Sequence, residues 1–346
     1  MRMAGKTPLW IAVCLLIAWG FVAASRRSAS SLPQGVAGSD LQLYRAITAR
    51  VAAGENYYHV LADELPARNY ATRPVFNWRL PTLTWLNAIP PSPDWGRAIL
   101  IVLGATLVGS WLIVIRRSVP RVWIAGVIII SLGTVPVVLS GVSVVVYEAW
   151  AGVLIAASLG CWGLGRWKTS VALGGTALLI RELALPYAVI MAAVAWWDGR
   201  RREALAWVAA IGVFAAFWAG HVSHVIRAMP SEGLVNSWLG FGGWGFVLDA
   251  SQSSTLFMLL PKGWDNWMLA ILIPVLWAGS WYWADALGRR LSWVLGGYFA
   301  MFTIVGRPDN WYWGFLVGPL IPLAGLGYFF RPKGSNPRSA ISAERR

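Results

Sequence analysis

Apolar runs close to the length that crosses ~30 Å of hydrocarbon recur along this chain, from residues 8–24 to residues 311–330. Lipid offers the backbone no hydrogen-bond partner, so each crossing segment must satisfy its own N–H and C=O groups, which a helix does within one stretch. The expected class is therefore an all-α polytopic membrane protein. The chain is 57% hydrophobic and 13% charged, a balance that a water-soluble surface would not tolerate. Its 24 Trp suit interfacial belts, with Trp78, Trp85, Trp95, Trp123, Trp311 and Trp313 as candidates.

The formal charge of +14 raises nucleic acid as a partner, but its placement speaks against one. The basic residues sit in short breaks: Arg116-Arg117 with Arg121, Arg166 with Lys168, Arg200-Arg201-Arg202, Arg289-Arg290, and the tail from Arg331. These alternate with breaks poor in Lys and Arg, the positive-inside pattern of a membrane protein, so no nucleic-acid partner is expected. Cys14 and Cys161 both fall in apolar runs and imply no disulfide framework. With three His in all, little remains for a zinc site.

The first run follows Arg2 and Lys6 and reads as an uncleaved anchor with a cytoplasmic N-terminus. Residues 25–96 then form a long extracytoplasmic loop, within which Ser39/Asp40 is placed to cap a surface helix carrying Leu43, Ile47 and Val51 on one face and stopped by Gly54. Further spans are expected near 97–115, 122–140, 143–164, 203–220, 265–284, 290–305 and 311–330. The stretch 169–197 is interrupted by Arg181-Glu182, and twelve residues of helix reach only ~18 Å, so two short helices meeting at that pair are expected there. About ten membrane segments result, in a single domain over 1–330, with a second outer loop at 221–264 and a basic tail at 331–346 that reads as disordered and cytoplasmic.

This topology gathers the unusual polar residues at the outer face: Asp40, Arg45, the Arg68/Arg73/Arg79 group, Arg181-Glu182, His221 and His224, Arg227, and Arg307-Pro308-Asp309-Asn310. Ionisable groups at membrane depth are costly and need partners or a function. Arginines bind phosphate bidentately, and an acid that stays ionised beside them accepts a proton from a hydroxyl. Each residue also has a plainer reading. Asp40 serves as a helix cap, the loop arginines meet lipid head groups, Arg181-Glu182 is a structural ion pair, and Glu148 is structural. His221 and His224 share a helix face, but no third metal ligand is evident beside them.

At these residues the chain resembles the GT-C superfamily of integral-membrane glycosyltransferases, which use polyprenyl-phosphate-linked sugars. As architecture the resemblance covers most of the chain. In motif terms, Ser39-Asp40-Leu41-Gln42-Leu43-Tyr44 followed by Ala53-Gly54-Glu55-Asn56-Tyr57-Tyr58 looks like the first-loop pattern of the polyprenyl-phosphate-mannose-dependent branch. The resemblance implies a GT-C-like bundle in the inner membrane and a mannosyltransferase-like activity. It makes Asp40 the catalytic base. Arg181-Glu182 is similar to the Arg-Glu pair of the short-helix segment. The acidic doublet frequent in the superfamily is absent beside Asp40, which points away from a required metal, and no cofactor is implied.

The implied reaction is a direct displacement. Asp40 takes the proton of an acceptor hydroxyl while the sugar leaves polyprenyl phosphate, whose growing charge the arginines stabilise. Arg45, Arg73, Arg79, Arg181, Glu182, His221, His224, Arg307, Asp309 and Asn310 are the candidate substrate- and phosphate-binding residues. The partners are a polyprenyl-phosphate-linked sugar donor, a lipid or glycan acceptor, and membrane lipids. A transporter or lipid-linked-sugar flippase is the alternative, for which charges along a midplane path and repeated halves would be expected.

Overall fold

The structure, a computed structural model, describes residues 7–27, 36–89, 94–118, 133–134, 144–236, 240–259, 265–283 and 285–329. Every regular element among them is helical, as the apolar runs require. Arg121, the expected span at 122–140 with Trp123, and the tail at 331–346 fall almost wholly outside the described residues.

The centre of the bundle is α6 (Tyr147–Gly163), buried from Tyr147 to Trp162. A helix that is apolar on all sides has no solvent face to offer and is surrounded. α5 (Asp94–Ser118) and α7 (Trp167–Ile180) pack against it, as does a 3₁₀ segment, Pro308–Leu316. Two backbones touch at that last contact. A Cβ built on Gly152 would lie 1.8 Å from the Phe315 carbonyl oxygen, so only glycine admits the 3₁₀ segment this close.

After α7 the chain turns at Arg181 and a short 3₁₀ turn, Glu182–Ala184, then continues as α8 (Leu185–Trp197). Two short helices meeting at Arg181-Glu182 are what the interrupted run led one to expect. Next comes α9 (Arg201–Ala228), which packs on both α7 and α8. It continues two turns past the expected end near 220, so His221 and His224 are helical rather than in a loop. α10 (Gly243–Ser253) is a mostly buried helix inside the stretch read as the second outer loop. It packs against α12 (Ala286–Val305) and the 3₁₀ segment, while α1 (Thr7–Arg27) lies along α11 (Asp265–Ser280).

Among the described residues, Trp95–Arg117 and Arg201–Ala228 are long and apolar enough to cross a membrane. The expected span at 311–330 is broken: Pro308–Leu316 and Ile321–Phe329 meet at 59°. Pro308 and Pro322 lack the N–H groups that a continuous α-helix would use.

The first loop is tied to the bundle by a satellite core. Leu43 and Ile47 of α2 (Val36–Ala52) pack with Val60, Leu61 and Leu65 of α3 (Tyr57–Ala67), with Trp78, and with Val225 near the end of α9. The apolar face expected to lie on lipid is therefore covered by protein. Gly54, at φ +95°, ends α2 in a conformation that glycine adopts without strain. The Asn56 side chain then caps α3 by accepting from the N–H of Tyr58 at 3.0 Å. Because α2 begins at Val36, Asp40 lies inside the helix and not at its cap.

Two other expectations change. Trp78 and Trp313, read as belt residues, are buried, whereas Trp85 and Trp95 are exposed. The basic breaks are partly neutralised within the protein. Arg290, fully buried, bonds Asp198 at 2.9 Å and Glu203 at 3.1 Å, and its guanidinium lies 4.0 Å from the Trp162 ring. Arg289 and Arg200 join the same cluster through Asp198 and Glu203.

Gly152→Ala forces α6 and the 3₁₀ segment apart. The expected cost is about 1–3 kcal/mol, read as a lower melting temperature of the purified protein, and a variant as stable as wild type would show that this approach does not limit the fold.

Candidate active site

Behind the satellite core lies a cavity of about 140 Å³. Its wall is drawn from six places in the sequence: α2 (Asp40, Leu43, Tyr44, Ile47), α3 with its following turn (Tyr57, Leu61, Leu65, Tyr70, Ala71), Asn77 and Arg79, Tyr147 of α6, Asn236, and Arg307 with the 3₁₀ segment as far as Trp313. Asp40, Arg79, Arg307, Asp309 and Asn310, distant in sequence and all expected at the site, meet here.

Asp40 and Tyr44 lie one turn apart and so share the inner face of α2. The Tyr70 hydroxyl donates to Asp40 Oδ1. Burial pushes the Asp40 carboxyl above its ordinary 3.8, against the pull of the Tyr70 hydrogen bond and the Arg79 charge, while Glu148 and Asp309 raise it further. A carboxylate of raised proton affinity, not consumed by an ion pair among the described residues, has the character of a base.

Arg79 is placed through its own backbone. Tyr57 donates its hydroxyl to the Arg79 carbonyl at 2.6 Å. One residue earlier, the Trp78 carbonyl lies 3.1 Å from His221 Nε2. A carbonyl only accepts, so Nε2 carries the proton, and in the neutral ring Nδ1 accepts from Tyr58 at 3.3 Å. Held in this way, the Arg79 guanidinium donates to the hydroxyls of Tyr44 at 3.1 Å and Tyr312 at 3.2 Å. Among the described residues no carboxylate forms an ion pair with it. Arg307 differs: its Nε and Nη2 meet the two Asp309 oxygens at 3.1 and 2.7 Å, a bidentate pair. Asn310 accepts from Tyr312 at 3.1 Å.

The other candidates lie outside the wall. Arg181 is fully buried and pairs with Glu148 at 2.7 Å and with Glu182. Glu148 and Glu182 are close enough to act on Arg79 electrostatically. His221 is buried as described, and exposed His224 stacks on Tyr58 with ring centroids 4.9 Å apart. Arg73 donates to the carbonyls of Pro230 and Ser231, and its backbone bridges to Val235, which brings Asn236 to the cavity. Arg45 is on the exposed side of α2. Among the described residues no group of three or more His, Cys, Asp or Glu is arranged to hold a metal ion.

The residues not anticipated are mainly tyrosines. Five of the ten in the chain line the cavity: Tyr44, Tyr57, Tyr70, Tyr147 and Tyr312. Their concentration in the first loop, against one each in α6 and the 3₁₀ segment, was the available signal. Asn236 had none.

Taken together, these features define an all-α membrane bundle that holds a polar cavity between its first loop and a 3₁₀ segment. The fold is similar to that of ArnT from Cupriavidus metallidurans, whose crystal structure is bound to undecaprenyl phosphate. The TM-score is 0.53 at 14% identity, over 99% of this chain and 63% of that one, so the chain spans less than two thirds of the protein it matches. No family model and no curated protein matches the sequence.

Arg181 and His224 separate structural from dispensable positions. Arg181→Met leaves the buried Glu148 and the part-buried Glu182 without their shared cation, and about 3–5 kcal/mol of stability should be lost. His224→Ala should melt within a degree or two of wild type, and thermal unfolding of the two variants side by side checks both.

Proposed function

We propose that the chain is a membrane glycosyltransferase that moves a sugar from a polyprenyl-phosphate donor to an acceptor outside the cytoplasm, with Asp40 as base and Arg79 as phosphate anchor. One observation carries the reading: a single cavity holds a carboxylate and a guanidinium, each bonded to phenol hydroxyls and neither spent in an ion pair among the described residues. The similarity of fold to a protein crystallised with undecaprenyl phosphate supports a donor of that chemistry. Of possible sugars, mannose is the one that the first-loop motif suggests.

In this mechanism the acceptor hydroxyl gives its proton to Asp40 as its oxygen attacks the anomeric carbon. The bond from that carbon to the phosphate oxygen breaks, and its electron pair leaves with polyprenyl phosphate. Arg79 stabilises the added charge, with the Tyr44 and Tyr312 hydroxyls beside it as further donors once they turn toward the phosphate. Phosphate is already a fair leaving group, so no general acid is required. Arg307, held by Asp309, borders the same space as a second cation. The inner membrane, cytoplasmic termini and an outward-facing site complete the reading, supported by the alternation of basic breaks.

The test is transfer from a panel of radiolabelled polyprenyl-phosphate sugars in membranes containing each variant. Asp40→Asn should lower the rate by at least ~10²-fold, the smaller end of what general-base catalysis contributes. Arg79→Gln should weaken undecaprenyl phosphate binding about ten-fold or more, the equivalent of one charge-assisted hydrogen bond. Because a raised carboxylate is lost as a base when pH falls through its pKa, the acid limb of the rate should lie above 3.8. Full activity in Asp40→Asn would exclude this mechanism, and movement of labelled lipid across liposomes without transfer would favour a flippase.

A further inference from the structure

We propose that Tyr70 is the positioning residue of Asp40, holding one carboxylate oxygen so that the other faces the cavity as the atom that takes a proton. The proposal rests on reading Asp40 as the base. A carboxylate on a helix can present either oxygen, and a donor fixed by its own backbone selects one of them. Tyr70 meets that requirement. Its hydroxyl donates to Asp40 Oδ1, and both side chains line the cavity.

Tyr70 is itself fixed by local structure. α3 ends at Ala67, and Asn69 follows in the left-handed region at φ 59°, a conformation that asparagine tolerates better than most residues. That turn brings the Tyr70 N–H to the Leu65 carbonyl at 2.8 Å and packs the ring against the satellite core. The hydroxyl is thus delivered to α2 from a closed helix end, not from a free loop.

Other groups act on Asp40 from a distance. Arg79, ahead of α4 (Thr82–Ala88), attracts its charge, whereas Glu148 of α6 and Asp309 of the 3₁₀ segment repel it. Tyr44 on α2 and Tyr57 on α3 face the same space as neutral hydroxyls. Among the described residues Tyr70 alone donates to the carboxylate. Its hydrogen bond also favours the ionised form against burial, so losing it should raise the pH at which Asp40 ionises.

The deciding measurement needs no substrate. The full-length protein is treated with a water-soluble carbodiimide and an amine from pH 4 to 8, and peptide mass spectrometry follows modification at Asp40, which requires the protonated acid. Tyr70→Phe should move the midpoint upward by about one pH unit. In the transfer assay its kcat should fall about ten-fold with KM unchanged, and it should cost nothing further in the Asp40→Asn background.

An unmoved midpoint in Tyr70→Phe, with Asp40→Asn inactive, overturns the positioning role and leaves the base reading intact. Activity in Asp40→Asn overturns both. Tyr70→Phe keeps the ring, and undecaprenyl phosphate binding reports whether the fold survives. Tyr70→His, which restores a donor, should recover part of both the midpoint and the rate. If Tyr70→Phe unfolds and Tyr70→His behaves no better, the hydroxyl is structural and the proposal fails.

Discussion

Charged side chains beside a membrane keep their geometry only if something other than the membrane holds the segment that carries them. In this protein that restraint is the contact of Leu43, Ile47 and the α3 leucines with Trp78 and Val225. It closes a first loop of short helices onto the end of the long apolar helix α9. Everything polar at the site follows from it. Tyr57 reaches the Arg79 carbonyl, His221 reaches that of Trp78, and α2 turns Asp40 and Tyr44 inward. Burial of aromatic and aliphatic surface, at about 25 cal/mol per Å², provides the driving force, and the hydrogen bonds set the register.

Charge is handled in two ways. Where the protein is densest, ions are matched with ions: Arg181 with Glu148 and Glu182, and Arg290 with Asp198 and Glu203. Such pairs are weak evidence of stability but become strongly destabilising once one partner is removed. At the cavity the pattern changes. Asp40 and Arg79 are matched with phenols, which satisfy hydrogen-bonding geometry without cancelling the charge. The buried pairs organise the bundle, and the hydroxyl-matched pair leaves a field in the cavity.

The architecture was readable because the requirement that a backbone in lipid satisfy itself writes a long, redundant signal into the sequence. The break at Arg181-Glu182 was legible for the same reason, since two charges interrupt an apolar run. Asp40, Arg79, Arg307, Asp309 and Asn310 stood out because charge is scarce in this composition. Less was legible wherever tertiary packing set the outcome. The periodic face of α2 is identical whether it lies on lipid or on α3, and Trp78 and Trp313 carry no local mark of burial. Nor could the sequence reveal that Tyr70, thirty residues from Asp40, would meet it, because that contact depends on a turn at Asn69.

The hydroxyl partners of Arg79 have a consequence for exchange. An anion arriving at a guanidinium already bound by a carboxylate must first separate two opposite charges at low dielectric, which slows both its entry and its departure. At Arg79 the arriving group replaces neutral phenol oxygens as acceptor, and the hydroxyl hydrogens, turning about their C–O bonds, remain nearby as donors to it. The cation is therefore kept solvated by side chains whose rearrangement carries little electrostatic work. A pocket built this way can be loaded and emptied repeatedly without passing through a state in which a buried charge stands bare.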